Sequence, residues 1–459
     1  FLHKEIFEKP HGLARFRYLY PDGFNLLLFD CGGGTIDIGI LRAELRPNGT
    51  EVDVKVIGRT GMRSFGGDNI TEAIYRLLKA KIAAYLATEF KRDKLPTPAE
   101  GQSWREYLQQ YGPTIEKILP TTFNPEVYQD SGVARRRNAM QALWSEAERI
   151  KKELSIDPKS REQDSNAAEP TVTYLHVKDS VLDRYFQSLG GAGVTLKLEK
   201  LNKIDITRSM VDELIGPSIR ESIARCNYLI HHKLTPRDQE VHRVVMAGNG
   251  SRYRLFAEEM NKRLAVPQLN KGRMYQFASN ELADLKHAVA KGVTLALARK
   301  TRSENVQVHF DHTLSERIPF TLAYKDSERN RFIPLLGEDE RYDKLVKETP
   351  RLQIQPRPGS QNEVILYRHW PGDLDAQHKE RFWPYQVYRF TSQIKGDIRL
   401  RYDPDQCVFI LYTQQEEARL VTELVEDVEE EHLWRILASP NPQLELRKVY
   451  YSPLQRGVL

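Results

Sequence analysis

The run Asp30-Cys31-Gly32-Gly33-Gly34-Thr35-Ile36-Asp37 constrains this chain more than any other stretch of it. It joins two apolar segments, 25–30 and 36–45, that read as successive strands. A plain hairpin needs only a two-residue turn. Three glycines instead let the backbone take φ > 0 and come close to a ligand. Consecutive N–H groups in such a turn form a concave nest suited to phosphate, and the Thr35 hydroxyl adds a donor. Asp30 and Asp37 flank the turn, and carboxylates there suit a Mg2+ ion that keeps several of its waters. The pattern predicts a phosphate and magnesium site in preference to an ordinary turn.

The segments that follow alternate strand and helix. A third strand is expected over 52–59, after the turn Pro47-Asn48-Gly49. Gly66-Gly67-Asp68 opens a helix to about 90, with Asp68 placed to cap it. Residues 91–137 contain several prolines and no clean period. A helix over about 137–154 carries Met140, Leu143, Ala147, Ile150 and Leu154 as its buried stripe. Residues 158–170 read as a polar loop, and strands are expected around 171–178 and 193–198. Thr207 caps a helix over 208–231, and a strand over 241–247 leads through Gly248-Asn249-Gly250-Ser251-Arg252 into a helix to about 264. A last helix, 280–300, places Leu282, Leu285, Val289, Val293 and Ala296 on one stripe. This is an α/β pattern. Beyond 300 the period changes: short alternating segments at 320–324, 351–355, 364–368, 385–390, 397–402 and 408–412 predict an all-β, sandwich-like domain, with the boundary near 301–316.

Composition narrows the class. Apolar residues make up 40% and the mean hydropathy is −0.56, which excludes a disordered or membrane-embedded chain. No apolar run is long enough to span a bilayer. Cys31, Cys226 and Cys407 are far apart and form no CxxC pair, so a reducing, cytoplasmic compartment is expected, without disulfides or zinc. A net charge of +5 is small for 459 residues. Arg135-Arg136-Arg137 reads as a solvated helix face, which leaves nucleic acid a minor option. The first residue is not Met, and position 1 is read as internal to a longer protein.

Taken in order, several segments resemble the 70-kDa heat-shock chaperones, members of the actin–hexokinase–chaperone ATPase superfamily. Residues 30–37 resemble that family's second phosphate motif, and Phe65-Gly66-Gly67-Asp68 its double glycine near the nucleotide. Glu148, Lys151 and Ser155 lie at i, i+3 and i+7 of a segment similar to its adenosine-contacting helix. Residues 244–252 resemble its second adenosine motif, with Asn249 where a glycine is usual and Arg252 placed to stack on the purine. Residues 286–293 resemble its closing helix, although Lys286 stands where an acid is usual. Lys9-Pro10 resembles the segment carrying its switch proline, with Lys9 replacing an acid. Residues 396–413 loosely resemble a strand pair of its substrate-binding domain.

The resemblance implies an actin-like ATPase fold, incomplete at its N-terminus, over 1–300, with insertions at 91–137 and 156–200. A linker over 301–315, a β domain over 316–430 and an extension over 431–459 would follow. It implies ATP or ADP and Mg2+ as cofactors, with Asp30 and Asp37 reaching the metal through water. Gly32, Gly33, Gly34 and Thr35 would cradle phosphates, and Asp37 would orient the attacking water. Gly66, Gly67, Glu148, Lys151, Ser155, Gly248, Asn249, Gly250 and Arg252 would surround the rest of the nucleotide. The implied activity is an ATPase-driven chaperone that grips a polypeptide client. An exchange factor or co-chaperone would bind the second lobe, and a first lobe would come from the same or another chain. Without that lobe, residues 1–459 are expected to hydrolyse ATP negligibly. The alternative is a nucleotide-switched protein serving one dedicated partner. A sugar kinase is a third option, against which the β-rich tail argues.

Overall fold

The structure, a computed structural model of the 459-residue chain, describes residues 6, 9–91, 95–122, 131–155, 172–175, 180–190, 196, 198–234, 240–265, 274–276, 292, 294, 307–311, 317–326, 329–342, 344–347, 351–352, 362–394, 397–403, 408–424, 428–431 and 433. In chain order its first elements are α1 (Gly12–Leu19), β1 (Phe24–Cys31), β2 (Ile36–Leu45), β3 (Glu51–Met62), α2 (Gly67–Phe90), α3 (Trp104–Ile118) and α4 (Ser131–Ser155). Next come β4 (Val172–Tyr174), α5 (Ser180–Gly190), α6 (Leu198–Leu201), β5 (Asp205–Thr207), α7 (Arg208–Lys233), β6 (Arg243–Ala247), α8 (Arg254–Arg263) and β7 (Met274–Gln276). The remainder is β8 (Gln307–Phe310), β9 (Thr321–Asp326), β10 (Arg331–Leu336), α9 (Lys344–Lys347), β11 (Arg351–Leu352), β12 (Glu363–His369), β13 (Trp383–Arg389), β14 (Ile398–Asp403), β15 (Val408–Tyr412) and β16 (Arg419–Glu423). The chain is thus mixed α/β. It divides into two units, one of 1–64, 222–249 and 263–446, the other of 65–221, 250–262 and 447–459.

The first unit contains a sheet of order β7-β6-β1-β2-β3-β8. Strands β1, β2 and β3 form an antiparallel meander, while β6 runs parallel to β1 and β7 parallel to β6. The central strand β1 reads FNLLLFDC and is buried along nearly its whole length, as a strand covered on both faces must be. Phe16, Phe24, Leu26, Val52 and Val54 form the core under this sheet. Within the stretch expected as a linker, β8 pairs in parallel with β3.

The same unit holds two further antiparallel sheets, β10-β9-β12-β13-β16 and β11-β14-β15. They enclose one core: Phe320, Leu322 and Leu366 from the larger sheet meet Ile398, Leu400 and Leu411 from the smaller. The Tyr388 hydroxyl donates across it to the Phe409 carbonyl at 2.7 Å. The expected alternating segments lie on β9, β11, β12, β13, β14 and β15. Strands β10 and β16 were not expected, and they are the two edges of the larger sheet.

The second unit is mostly helical, with one two-stranded sheet, β4-β5. Ile70, Ile74, Leu77 and Leu78 of α2 and Leu143, Ala147, Ile150 and Leu154 of α4 are all buried. Each buried Leu or Ile among them contributes about 1.5–3 kcal/mol. Helix α4 begins before the expected 137, and Ala139 takes the buried place assigned to Met140, which is half-buried. Arg135 and Arg136 are exposed on it. The cap of α2 is corrected: Asn69 Oδ1 accepts from the Gly66 amide at 2.8 Å, whereas Asp68 only lies in the first turn.

Helix α3 lies in the stretch read as patternless. Its start is a capping box, in which Ser103 Oγ accepts from the Glu106 amide and Glu106 Oε2 from the Ser103 amide, both at 3.1 Å. Helix α5 was also missed, although Leu182, Tyr185 and Phe186 recur at helical spacing and are buried. The expected strand over 171–178 is described only as β4 and Leu175. Thr207 does cap α7, accepting from the Met210 amide at 3.3 Å. The loop at 158–170 and the residues from 434 onward lie outside the described residues. So does the whole of 280–300 apart from Gly292 and Thr294, including Lys286 and the expected stripe.

Candidate functional site

Pairing of β1 with β2 sets the site's geometry. Asp30 and Asp37 are direct register partners at the end of the hairpin, followed by Cys31 and Ile36. Opposed residues on antiparallel strands have Cβ atoms about 4.5–5.5 Å apart, and like charges there repel. Burial and the Asp37 carboxylate push the Asp30 carboxyl above its ordinary value. Asp37 is exposed, ion-paired to Arg63 at 3.2 Å, and faced by the Thr35 hydroxyl at 3.5 Å. Among the described residues no hydrogen-bond donor reaches the Asp30 carboxylate.

The turn itself departs from expectation in one respect. Positive φ is absent from Gly32, Gly33 and Gly34. The Gly32 amide donates to the Thr35 carbonyl at 2.9 Å, so it is spent inside the turn. What the glycines provide is open space. A Cβ on Gly34 would meet nothing within 4 Å, and one on Gly32 would only touch Thr35 at 3.6 Å. Gly33 and Gly34 are exposed.

The left-handed position lies instead on Gly248, with φ +77°. It follows β6, whose Ala247 pairs with Asp30 in parallel register. A Cβ on Gly248 would overlap Asp30 Oδ1 and the Cys31 carbonyl. Asn249 does not take the left-handed region, and it is exposed. The C-terminal ends of the parallel strands β1 and β6 therefore lie side by side, and both run into glycine. In open α/β sheets ligands bind outside such strand ends.

The second unit holds another polar group. The Lys151 ammonium donates to Glu148 Oε1 at 2.6 Å, Thr71 Oγ1 at 2.8 Å and the Gly67 carbonyl at 3.1 Å, which uses its three donors. Thr71 also donates to Glu148. Burial would raise the Glu148 carboxyl, but the Lys151 and Thr71 donors outweigh it and hold the group below its ordinary value. Ser155 does not join this group; its hydroxyl donates to the Lys151 carbonyl at 2.7 Å. Gly66 and Gly67 are buried at the start of α2. Gly250 is buried and opens a 3-10 turn that ends at the exposed Arg252.

The structure thus brings Asp30, Gly32, Gly33, Gly34, Thr35, Asp37 and Gly248 together in one unit, and Gly67, Glu148 and Lys151 in the other. Two residues at these groups were missed. Thr71 was findable, because it sits four residues after Gly67 and so on the same helix face. Arg63 was not, because its meeting with Asp37 depends on a β2–β3 register that shifts between Ile40 and Leu41. Among the described residues no group of three or more His, Cys, Asp or Glu side chains is arranged to hold a metal ion. No helix among them is long and apolar enough to cross a membrane. No protein-family model matches the chain, and no curated protein matches it either.

Proposed function

We propose that the Asp30–Asp37 turn binds the phosphates of Mg2+–ATP, in an actin-like nucleotide-binding fold whose β-rich part grips a polypeptide client or a dedicated partner. The observation that carries this reading is the pairing of two opposed carboxylates with an uncovered glycine turn at the ends of parallel strands. Two carboxylates fit Mg2+, which takes one or two from the protein and the rest of its ligands from water and phosphate. Asp30 and Asp37 would hold the hydrated ion. The free amides of Gly33 and Gly34 and the Thr35 hydroxyl would face phosphate oxygens. Bound Mg2+ would supply charge neutralisation, and Asp37 would orient a water. Such catalysis is positioning plus electrostatics.

The test is calorimetry of the full chain with Mg2+–ATP. Gly33→Val should abolish binding while circular dichroism stays unchanged. Equal affinities for the Gly33 variant and the parent chain would refute the reading.

A further inference from the structure

The turn Trp370-Pro371-Gly372-Asp373 follows β12 within the first unit. Its Asp373 amide donates to the Trp370 carbonyl at 2.9 Å, and Gly372 has φ +78° after proline, the pattern of a type II turn. Gly372 is pressed onto α7: a Cβ there would lie 2.9 Å from the Tyr228 Cβ and 3.2 Å from the Arg225 Cα.

This turn holds three positions at the end of β3. The Thr60 hydroxyl donates to the Pro371 carbonyl at 2.5 Å. Arg225 donates one amino group to the Gly61 carbonyl, and its other lies 3.1 Å from Asp373 Oδ2. The Arg63 guanidinium lies 4.8 Å from the Trp370 ring centroid. Gly61 is the register partner of Asp37, and Arg63 is its ion-pair partner. Trp370 is only 3% exposed and packs edge-on against Phe320 in the β core, so its ring is a fixed platform. Arg63 therefore stands between one carboxylate of the phosphate turn and an indole of the β-rich part.

We infer that Arg63 is a positioning residue for Asp37, itself held by Trp370, and that charge at the Asp30–Asp37 turn and seating of the Trp370–Asp373 turn are linked through it. The inference rests on the reading of 30–37 as a Mg2+–phosphate site. A planar guanidinium suits both neighbours, stacking on one and pairing with the other. A second cation at Asp37 competes with Arg63 for the same carboxylate. Arg63 is then held less firmly, and so is its contact with Trp370. By linkage, a firmly seated Trp370 weakens cation binding at Asp37 by the same factor.

The test uses the full chain labelled with 5-fluorotryptophan. Its Trp370 fluorine resonance is assigned by its loss in Trp370→Phe. Without ligand, Asp37→Asn and Arg63→Gln should each move that resonance, Arg63→Gln by more. The double variant should match Arg63→Gln alone, because Asp37 acts through Arg63. A resonance unmoved by Asp37→Asn, or effects that add, overturns the proposal. Mg2+–ATP is then titrated into the parent chain, with calorimetry in parallel. The resonance should move in the direction set by Asp37→Asn and stay still in Arg63→Gln. Binding seen by calorimetry with a motionless resonance also overturns the proposal. If calorimetry shows no binding while Asp37→Asn still moves the resonance, the nucleotide reading fails and the Arg63 link stands.

Discussion

Two carboxylate groups, one in each unit, live in opposite circumstances. In the second unit, Glu148 is met by the Lys151 ammonium and the Thr71 hydroxyl, and its carboxyl is held below the ordinary value. In the first, Asp30 is partly buried, faces another carboxylate and is pushed above it. A satisfied carboxylate holds structure together and has little capacity left for a ligand. An opposed, under-neutralised pair costs stability in the free protein, a cost that a cation removes on binding. The Asp30–Asp37 turn is therefore the one of the two with charge left for a ligand to neutralise, and the Glu148 group is a preformed brace between α2 and α4.

The sharpest way to break this contrast is at the glycines. Gly248→Ala forces a side chain into the left-handed region, which costs about 1–3 kcal/mol from conformation alone. It also overlaps Asp30 and the Cys31 backbone, so the loss seen in urea unfolding should reach or exceed that range. Gly34→Ala meets nothing within 4 Å and should leave stability within about 0.5 kcal/mol. If phosphate occupies that space, Gly34→Ala should nonetheless weaken Mg2+–ATP. A Gly34 variant that binds as well as the parent would show that the open space is only solvent.

The next largest effect belongs to the brace. Lys151→Met removes three donated hydrogen bonds and leaves Glu148 half-buried beside Thr71 alone. The expected loss is about 1–2 kcal/mol in urea unfolding at pH 7. No loss would make Lys151 a ligand-binding group and erase the distinction between the two sites.

What was legible in the chain followed burial. Strands β9, β12 and β13 alternate or run apolar because they are interior to their sheet, and 25–37 reads as a hairpin for the same reason. The two edges, β10 and β16, are mostly half-buried or exposed and carry no period, and Pro334 in β10 reads as a breaker. Helix α3 was hidden by Pro113 in its interior, although its capping box was in plain view. At the site, the glycines and both aspartates were legible because they are adjacent in sequence. Their meaning changed in the fold, since the left-handed residue is Gly248 and not one of the three in the turn. The contacts of Arg63, Arg225 and Asp373 join segments far apart in sequence, and no local pattern marks such pairs.

A smaller effect, opposite in sign, is expected at Asp30. Its folded carboxyl titrates above the ordinary value, so the ionised form is disfavoured by folding. That penalty is absent below the ordinary carboxylate value and complete above the raised one. Stability should therefore fall as pH rises through this window, and Asp30→Asn should flatten the curve. The gain at pH 7 should be on the order of 0.2–1 kcal/mol, the size of one cross-strand side-chain pair. Equal pH profiles for the parent and Asp30→Asn would mean that solvent already screens the pair.

The smallest effect sits in the β-rich part, where Glu416 gives a third carboxylate for the contrast. It accepts from the amides and hydroxyls of Thr391 and Ser392. Those donors, the Ser392 and Thr391 hydroxyls foremost, pull its carboxyl down to about 2. The sign is the reverse of that at Asp30. A depressed carboxyl contributes stability above its ordinary value and loses that contribution as pH falls toward the folded value. Glu416→Gln should therefore lower the melting temperature slightly at pH 7, and the difference from the parent should shrink steadily on acidification until it vanishes near pH 2. Because the group is partly exposed, high salt should reduce the difference as well. A difference that persists unchanged into acid would mean that Glu416 acts by shape and hydrogen-bond geometry, not by its charge. In that case a satisfied carboxylate would be no guide to where this protein keeps charge in reserve.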